Sequence, residues 1–208
     1  MDKSKVIIAL YKANCIRIGR FKLTSGMISP IYIDLRALPS YPEIFRLIVK
    51  ASKDVISNMN FDIVCGIATG GIPLATALAY EMKKPMIYIR KEAKGHGTQR
   101  LIEGDFRKGA SVILVDDVAT TGGTLIRAIK ALKKEGLAVE NAFVIVDREQ
   151  GAREKLMREG VRLHYLVTLK EIVAYLNEKS LISREDYLKI MEYLGEGNVR
   201  WKGCDKNT

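Results

Sequence analysis

The chain has 208 residues, 48% hydrophobic and 28% charged, which suits one globular α/β domain with a modest appendage and excludes a disordered polyelectrolyte. No apolar run reaches the roughly 18 residues of a membrane span, and Cys15, Cys65, Cys204, His96 and His164 are too scattered for a disulfide framework or a protein-built metal cluster. The formal charge of +10 fits nucleic acid, a polyanionic small substrate or plain solubility, but the basic residues are spread along the chain without a tail or an aromatic-interleaved patch.

A soluble, cytoplasmic protein without a membrane partner is therefore expected; charge alone decides little about nucleic acid, and no nucleic-acid partner is expected. From Lys3 to Ala13, Val6, Ile7, Leu10 and Tyr11 recur at helical spacing and predict an amphipathic helix. Ile16 to Leu23 and the alternating Pro30-Ile31-Tyr32-Ile33-Asp34 read as strands on either side of Thr24-Ser25-Gly26. Pro42 suits the first turn of a helix that runs to Met59. Phe61 to Ala68, F-D-I-V-C-G-I-A, reads as a buried strand that enters Thr69-Gly70-Gly71-Ile72-Pro73 and the helix Leu74 to Met82. Strand, glycine turn and helix N-terminus together make an anion site, because free backbone N–H groups converge there and the helix dipole favours negative charge. Met86 to Ile89 is a short strand. The following Arg90 to Arg100, R-K-E-A-K-G-H-G-T-Q-R, is polar and basic. It is either a plain exposed loop or a lid that closes over a polyanion.

The phrase Ser111 to Leu125, S-V-I-L-V-D-D-V-A-T-T-G-G-T-L, carries the most chemistry. Its β-branched start predicts a buried parallel strand, with Asp116 and Asp117 where that strand should end. Ala119 to Thr124 then leads into the helix Leu125 to Lys134, a second anion cradle with glycines for close approach and threonine hydroxyls as donors. Two carboxylates would repel a phosphate placed against them, but they accept strongly from hydroxyls. The implied ligand is a sugar phosphate, and two cradles on one sheet edge imply that it carries two phosphate groups. Asn141 to Val146 is a further strand, ending in Asp147-Arg148-Glu149-Gln150-Gly151. A helix from Ala152 to Glu159, a strand from Leu163 to Val167, a helix from Thr168 and a final helix from Ser183 to Leu194 with an S-x-x-D start complete the order. The chain has no G-K-[ST], no G-x-G-x-x-G and no G-x-S-x-G, which excludes the commonest nucleotide and hydrolase motifs.

The Val112 to Thr124 phrase closely resembles the phosphoribosyl-pyrophosphate (PRPP) motif of type I phosphoribosyltransferases. F-x-L-x-S-G-x-x-S-P from Phe21 and R-K-E-A-K-x-H-G from Arg90 resemble the base-covering hood and the catalytic loop of the orotate phosphoribosyltransferases. The resemblance runs from about Phe21 to Leu176. It implies an α/β type I phosphoribosyltransferase fold, with a central, mostly parallel sheet flanked by helices and a small N-terminal hood. Residues 1–40 would form the first helix and hood, 41–180 the PRPP-binding core with a mobile lid at 91–104, and 181–208 a C-terminal helix and tail.

The resemblance further implies transfer of phosphoribose from PRPP to orotate, with Mg²⁺ held mainly through PRPP and water. Lys91, Lys94, His96, Asp116 and Asp117 are the implied catalytic residues. PRPP would be bound by these, by Arg90, by Thr69, Gly70 and Gly71, and by Val118, Ala119, Thr120, Thr121, Gly122, Gly123 and Thr124. Orotate would meet Thr120, Arg148, Ser25, Gly26 and Lys22. Many bacterial members carry a lysine immediately before the S-G, where this chain has Thr24, so Lys22 and Thr24 are the alternatives at that contact. A homodimer is implied, with Lys91, Lys94 and His96 completing the neighbouring site. A purine phosphoribosyltransferase and a PRPP-sensing regulator that binds nucleic acid are the alternatives.

Overall fold

The computed structural model describes residues 2–22, 28–91 and 101–195. In chain order the elements are α1 (Lys3–Lys12), β1 (Ile16–Lys22), β2 (Ile28–Ile33), α2 (Pro42–Ile56), β3 (Ile63–Ile67), α3 (Gly71–Met82), β4 (Met86–Ile89) and β5 (Ile102–Glu103). They continue with β6 (Ser111–Ala119), α4 (Gly123–Lys134), β7 (Ala138–Asp147), α5 (Ala152–Arg158), β8 (Arg162–Thr168), α6 (Leu169–Glu178) and α7 (Arg184–Gly195).

The main sheet has six strands in the order β5-β4-β3-β6-β7-β8, all parallel except β5, which runs antiparallel to β4. Both faces of this sheet are covered, which explains why its central strands read as continuous apolar runs. Successive side chains point to opposite faces. Val64, Ile113, Val115, Phe143 and Ile145 join the cluster made with α1, α2, α3 and α6. Cys65, Leu114, Ala142 and Val144 join the cluster beneath α4 and α5, where Leu125, Ile129, Leu132 and Leu156 are buried.

β1 and β2 form a separate antiparallel hairpin whose register shifts between Ile18 and Phe21. The hairpin is anchored to the core, because Ile31 and Ile33 are buried in the same cluster as residues of α2 and α6. Helix starts follow their local chemistry. Asp2 caps α1 by accepting from Ser4 N at 3.0 Å, Thr168 and Glu171 form a reciprocal capping box on α6, and Ser183 Oγ accepts from Asp186 N at 3.0 Å.

Several boundaries differ from the sequence expectation for physical reasons. β6 does not stop before the acids: it stays paired to β7 through Ala119↔Asp147, although its pairing to β3 ends at Gly66↔Val115. α3 begins at Gly71, because Pro73 falls in the first helical turn, where a missing N–H deprives no intrahelical acceptor. Residues 101–104, grouped by sequence with the lid, include β5, and Ile102 is buried against the sheet. Two residues are too short a strand for any periodicity to reveal. Lys94, His96, Ser25 and Gly26 lie outside the described residues.

The order of connections locates the site. From β3 the chain crosses through α3 to β4 on one side, whereas from β6 it crosses through α4 to β7 on the other. The β3–β6 boundary is therefore the topological switch point, where an open α/β sheet leaves a crevice beyond its strand ends.

Candidate active site

Asp116 and Asp117 stand in that crevice, where β6 outlasts β3. Each carboxylate is oriented by the next backbone amide: Asp117 N donates to Asp116 Oδ1 at 2.9 Å, and Val118 N donates to Asp117 Oδ1 at 2.8 Å. Asp116 is only 8% exposed. Burial, followed by the adjacent Asp117 charge, holds its carboxyl well above the ordinary range. Burial also raises Asp117, against the lowering influence of its hydrogen-bond donors and of Arg36. Two acids this close titrate as a pair.

The loop after β3 packs directly onto these acids. A Cβ on Gly70 would collide with the Asp117 carboxylate, and one on Gly71 would lie 2.5 Å from Val115 O and 2.9 Å from Asp116 Cα. Gly70 has φ −65°, so close approach, not backbone freedom, selects glycine there. The peptide bond between Ala68 and Thr69 is cis. On the other side Gly122 caps α4 with φ +77°, a left-handed conformation suited to glycine, and sits against Ala152 of α5. Gly123 faces open space, with Thr121 Oγ1 at 4.0 Å from where its Cβ would be. Both loops thus deliver a helix N-terminus to one crevice.

The cavity between them has a volume of about 660 Å³ and gathers Thr69, Gly70, Arg90, Lys91, Asp116, Asp117, Val118 and Thr124 from the sequence expectation. Arg90 is held at its rim by an ion pair with Glu103 at 3.1 Å. Ala119, Thr120, Thr121, Gly122 and Gly123 complete the loop that enters α4. Lys22 ends β1 on the hairpin, exposed and away from the cavity wall. The wall also includes Arg36 and Arg127, which sequence reasoning missed. The spacing of Asp34 and Arg36 just after a strand was the available signal for Arg36.

Arg148 follows β7 at the end of β6, its backbone N–H donating to Ala119 O at 2.9 Å, and is not among the residues that line the cavity. The side chain is buried, and its Nε and Nη2 have no hydrogen-bond partner among the described residues. Burial lowers its pKa, opposed by the Tyr193 phenol. The turn beneath it is rigidly built. Fully buried Asp147 accepts from Glu149 N at 2.9 Å and from Arg153 Nε, while the Arg153 guanidinium lies 4.3 Å from the Tyr165 ring centre. A buried guanidinium edge without an acceptor suits a carboxylate brought by a ligand.

Among the described residues no group of three His, Cys, Asp or Glu side chains could cage a metal ion. The carboxylates that line the cavity are those of the acid pair, with the hydroxyls of Thr69 and Thr124 on the same wall. That set fits Mg²⁺, which takes one or two carboxylates and fills its other positions with substrate phosphate and water.

Residues 35–164 match the phosphoribosyl transferase domain. The chain is 46% identical over 186 residues to the orotate phosphoribosyltransferase of Sulfolobus acidocaldarius, covering 89% of this chain and 94% of that protein. It is 48% identical over 188 residues to the orotate phosphoribosyltransferase of Sulfurisphaera tokodaii, covering 90% and 96%. The crystal structure of orotate phosphoribosyltransferase from Aeropyrum pernix superposes with a TM-score of 0.77 at 39% identity, covering 86% of this chain and 99% of that one.

Proposed function

This chain belongs to the phosphoribosyltransferase family, and we infer its activity from that membership: it is an orotate phosphoribosyltransferase, a transferase of pyrimidine biosynthesis. The reaction joins orotate to the phosphoribosyl group of PRPP, giving orotidine 5′-monophosphate and pyrophosphate. The observation that carries the reading is the acid pair Asp116–Asp117 between two glycine cradles at the switch point, in a chain so similar along its length to enzymes of that name.

Breaking the bond from C1 to pyrophosphate builds positive charge on the ribose and negative charge on the leaving group, so stabilisation belongs at those two places. Asp116 and Asp117 accept from the ribose hydroxyls and face the cationic ring. The loop from Val118 to Thr124 takes the 5-phosphate on the N-terminus of α4, and Thr69 to Gly71 take the pyrophosphate on that of α3. Arg90, Lys91, Lys94 and His96 neutralise the departing charge. Arg148 receives the orotate carboxylate, with Thr120, Ser25, Gly26 and either Lys22 or Thr24 around the ring. Orotate attacks through a ring nitrogen as an anion, so no strong general base is needed. Mg²⁺, held through the diphosphate, water and the nearby acids, would supply further neutralisation of the leaving group.

The enzyme acts as a homodimer in this reading, with Lys91, Lys94 and His96 completing the neighbouring site. A cytoplasmic location agrees with the described residues, among which no helix is long and apolar enough to cross a membrane. The test is loss of the ultraviolet absorbance of orotate on addition of PRPP and Mg²⁺, with adenine, hypoxanthine and uracil as controls. Turnover of orotate alone is expected. Turnover of a purine in its place, or PRPP binding without turnover of any base, would overturn the assignment.

A further inference from the structure

Arg36 follows the hood strand β2, yet its side chain lines the cavity of the core. Its guanidinium is held in place. Nε donates to Asp34 Oδ1 at 2.8 Å, while Nη2 donates to Asp34 Oδ2 at 2.9 Å and to Tyr32 Oη at 3.1 Å. Tyr32 is itself stacked on Phe21, with ring centres 5.4 Å apart. This arrangement uses three of the five guanidinium N–H groups. The two on Nη1 have no partner among the described residues.

The loop at Thr69 to Gly71 carries no cation, and the Asp117 carboxylate fills the space that a side chain at Gly70 would need. Positive charge for a diphosphate seated there has to come from across the cavity. Arg90 is engaged by Glu103 at 3.1 Å. Arg36 lines the same cavity as Thr69, Gly70 and Asp117, the acid packed against Gly70. An arginine anchored along one edge, with the Nη1 pair remaining, is suited to bridging phosphate oxygens.

We propose that Arg36 binds the diphosphate of PRPP, and that Asp34 and Tyr32 are the positioning residues that aim it. The assignment rests on the functional reading above and deepens it. It also makes the hood part of the phosphoribosyl-donor site, beyond its cover of the base.

The experiment is calorimetric binding of inorganic pyrophosphate, PRPP and ribose 5-phosphate, each with Mg²⁺, to the full-length protein and to Arg36→Ala and Arg36→Lys. Ribose 5-phosphate offers the same hydroxyls and 5-phosphate without the diphosphate. Arg36→Ala is expected to weaken pyrophosphate and PRPP by about tenfold or more and to leave ribose 5-phosphate unchanged, with Arg36→Lys intermediate. In steady state KM for PRPP should rise while KM for orotate holds. Equal weakening of ribose 5-phosphate, an effect confined to orotate, or no change would overturn the proposal. Thermal melting of both variants verifies folding. Failure of the unsubstituted protein to turn over orotate would instead strike the functional reading, because pyrophosphate binding is measured without orotate.

Discussion

The carboxylate of Asp117 occupies the space that a side chain at Gly70 would fill. The backbone at Gly70 is in the helical region, so Gly70→Ala is compatible with local geometry, and its strain falls on the acid. This variant should fold and lose about tenfold or more in kcat/KM for PRPP, as Asp117 is pushed from the position it needs for its proposed contact with the ribose. Gly71→Ala meets the backbone at Val115 O and should lower stability by about 2 kcal/mol. Gly123→Ala has open space and should melt at or above the temperature of the parent. Melting curves paired with PRPP titrations separate the three, and equal behaviour of all would refute the packing argument.

Asp116 sets a pH dependence whose sign can be worked out. Its folded pKa is raised by burial and by Asp117, so the folded state favours the neutral acid. The stability it contributes is present below the ordinary carboxylate pKa and is lost as pH rises through the folded value. Asp116→Asn removes that loss. Its melting temperature should gain on the parent as pH rises from about 4 towards neutrality, reaching about 1–2 kcal/mol of added stability. Turnover should fall by about 100-fold, because an amide cannot ionise to meet the cationic ribose of the proposed reaction. A stability difference that does not change with pH would contradict the account.

Arg148 is a buried charge with two unpartnered nitrogens. Arg148→Met keeps the length and removes the desolvation cost, so melting should be unchanged or improved. If the free edge serves orotate, KM for orotate rises by about 100-fold while PRPP affinity is retained. A destabilised variant with normal orotate kinetics would make Arg148 a packing residue only.

Lys94 lies in the segment assigned as the lid. Lys94→Ala should depress turnover far more than PRPP affinity. If the lid completes the neighbouring site as proposed, mixing it with Asp117→Asn should restore part of the activity, because a mixed dimer would then hold one site with both residues intact. Stopped assays on the two variants, alone and after subunit exchange, make the comparison. No recovery would argue for sites completed within one subunit.

The parts legible in sequence were those written in local chemistry. Glycine and threonine in the Val112 to Thr124 phrase mark a turn into a helix without knowledge of neighbours, and both glycine loops lead from a strand into a helix N-terminus as expected. The continuation of β6 through the acids was not legible, because β7 hydrogen-bonds that stretch after β3 has turned away. Arg36 was hidden for the same kind of reason. Only the docking of the hairpin onto the core brings a residue so early in the chain to the cavity wall. The meeting of Arg148 with the Tyr193 phenol of the last helix likewise depends on tertiary docking.

The direct pairing of β3 with β6, in register from Ile63↔Val112 to Gly66↔Val115, makes the sheet a gauge. Adjacent strands lie about 4.8 Å apart whatever the surrounding loops do, so the separation of the two helix N-termini is calibrated by backbone hydrogen bonds. In the proposed reading the nucleobase end draws in part on another branch of the chain, the turn after β7, whereas the β1–β2 hairpin serves both ends through Arg36. Acceptor preference can therefore drift through substitutions in that turn while the donor end keeps its calibration. One scaffold can thus change the base it accepts without relearning the sugar it delivers.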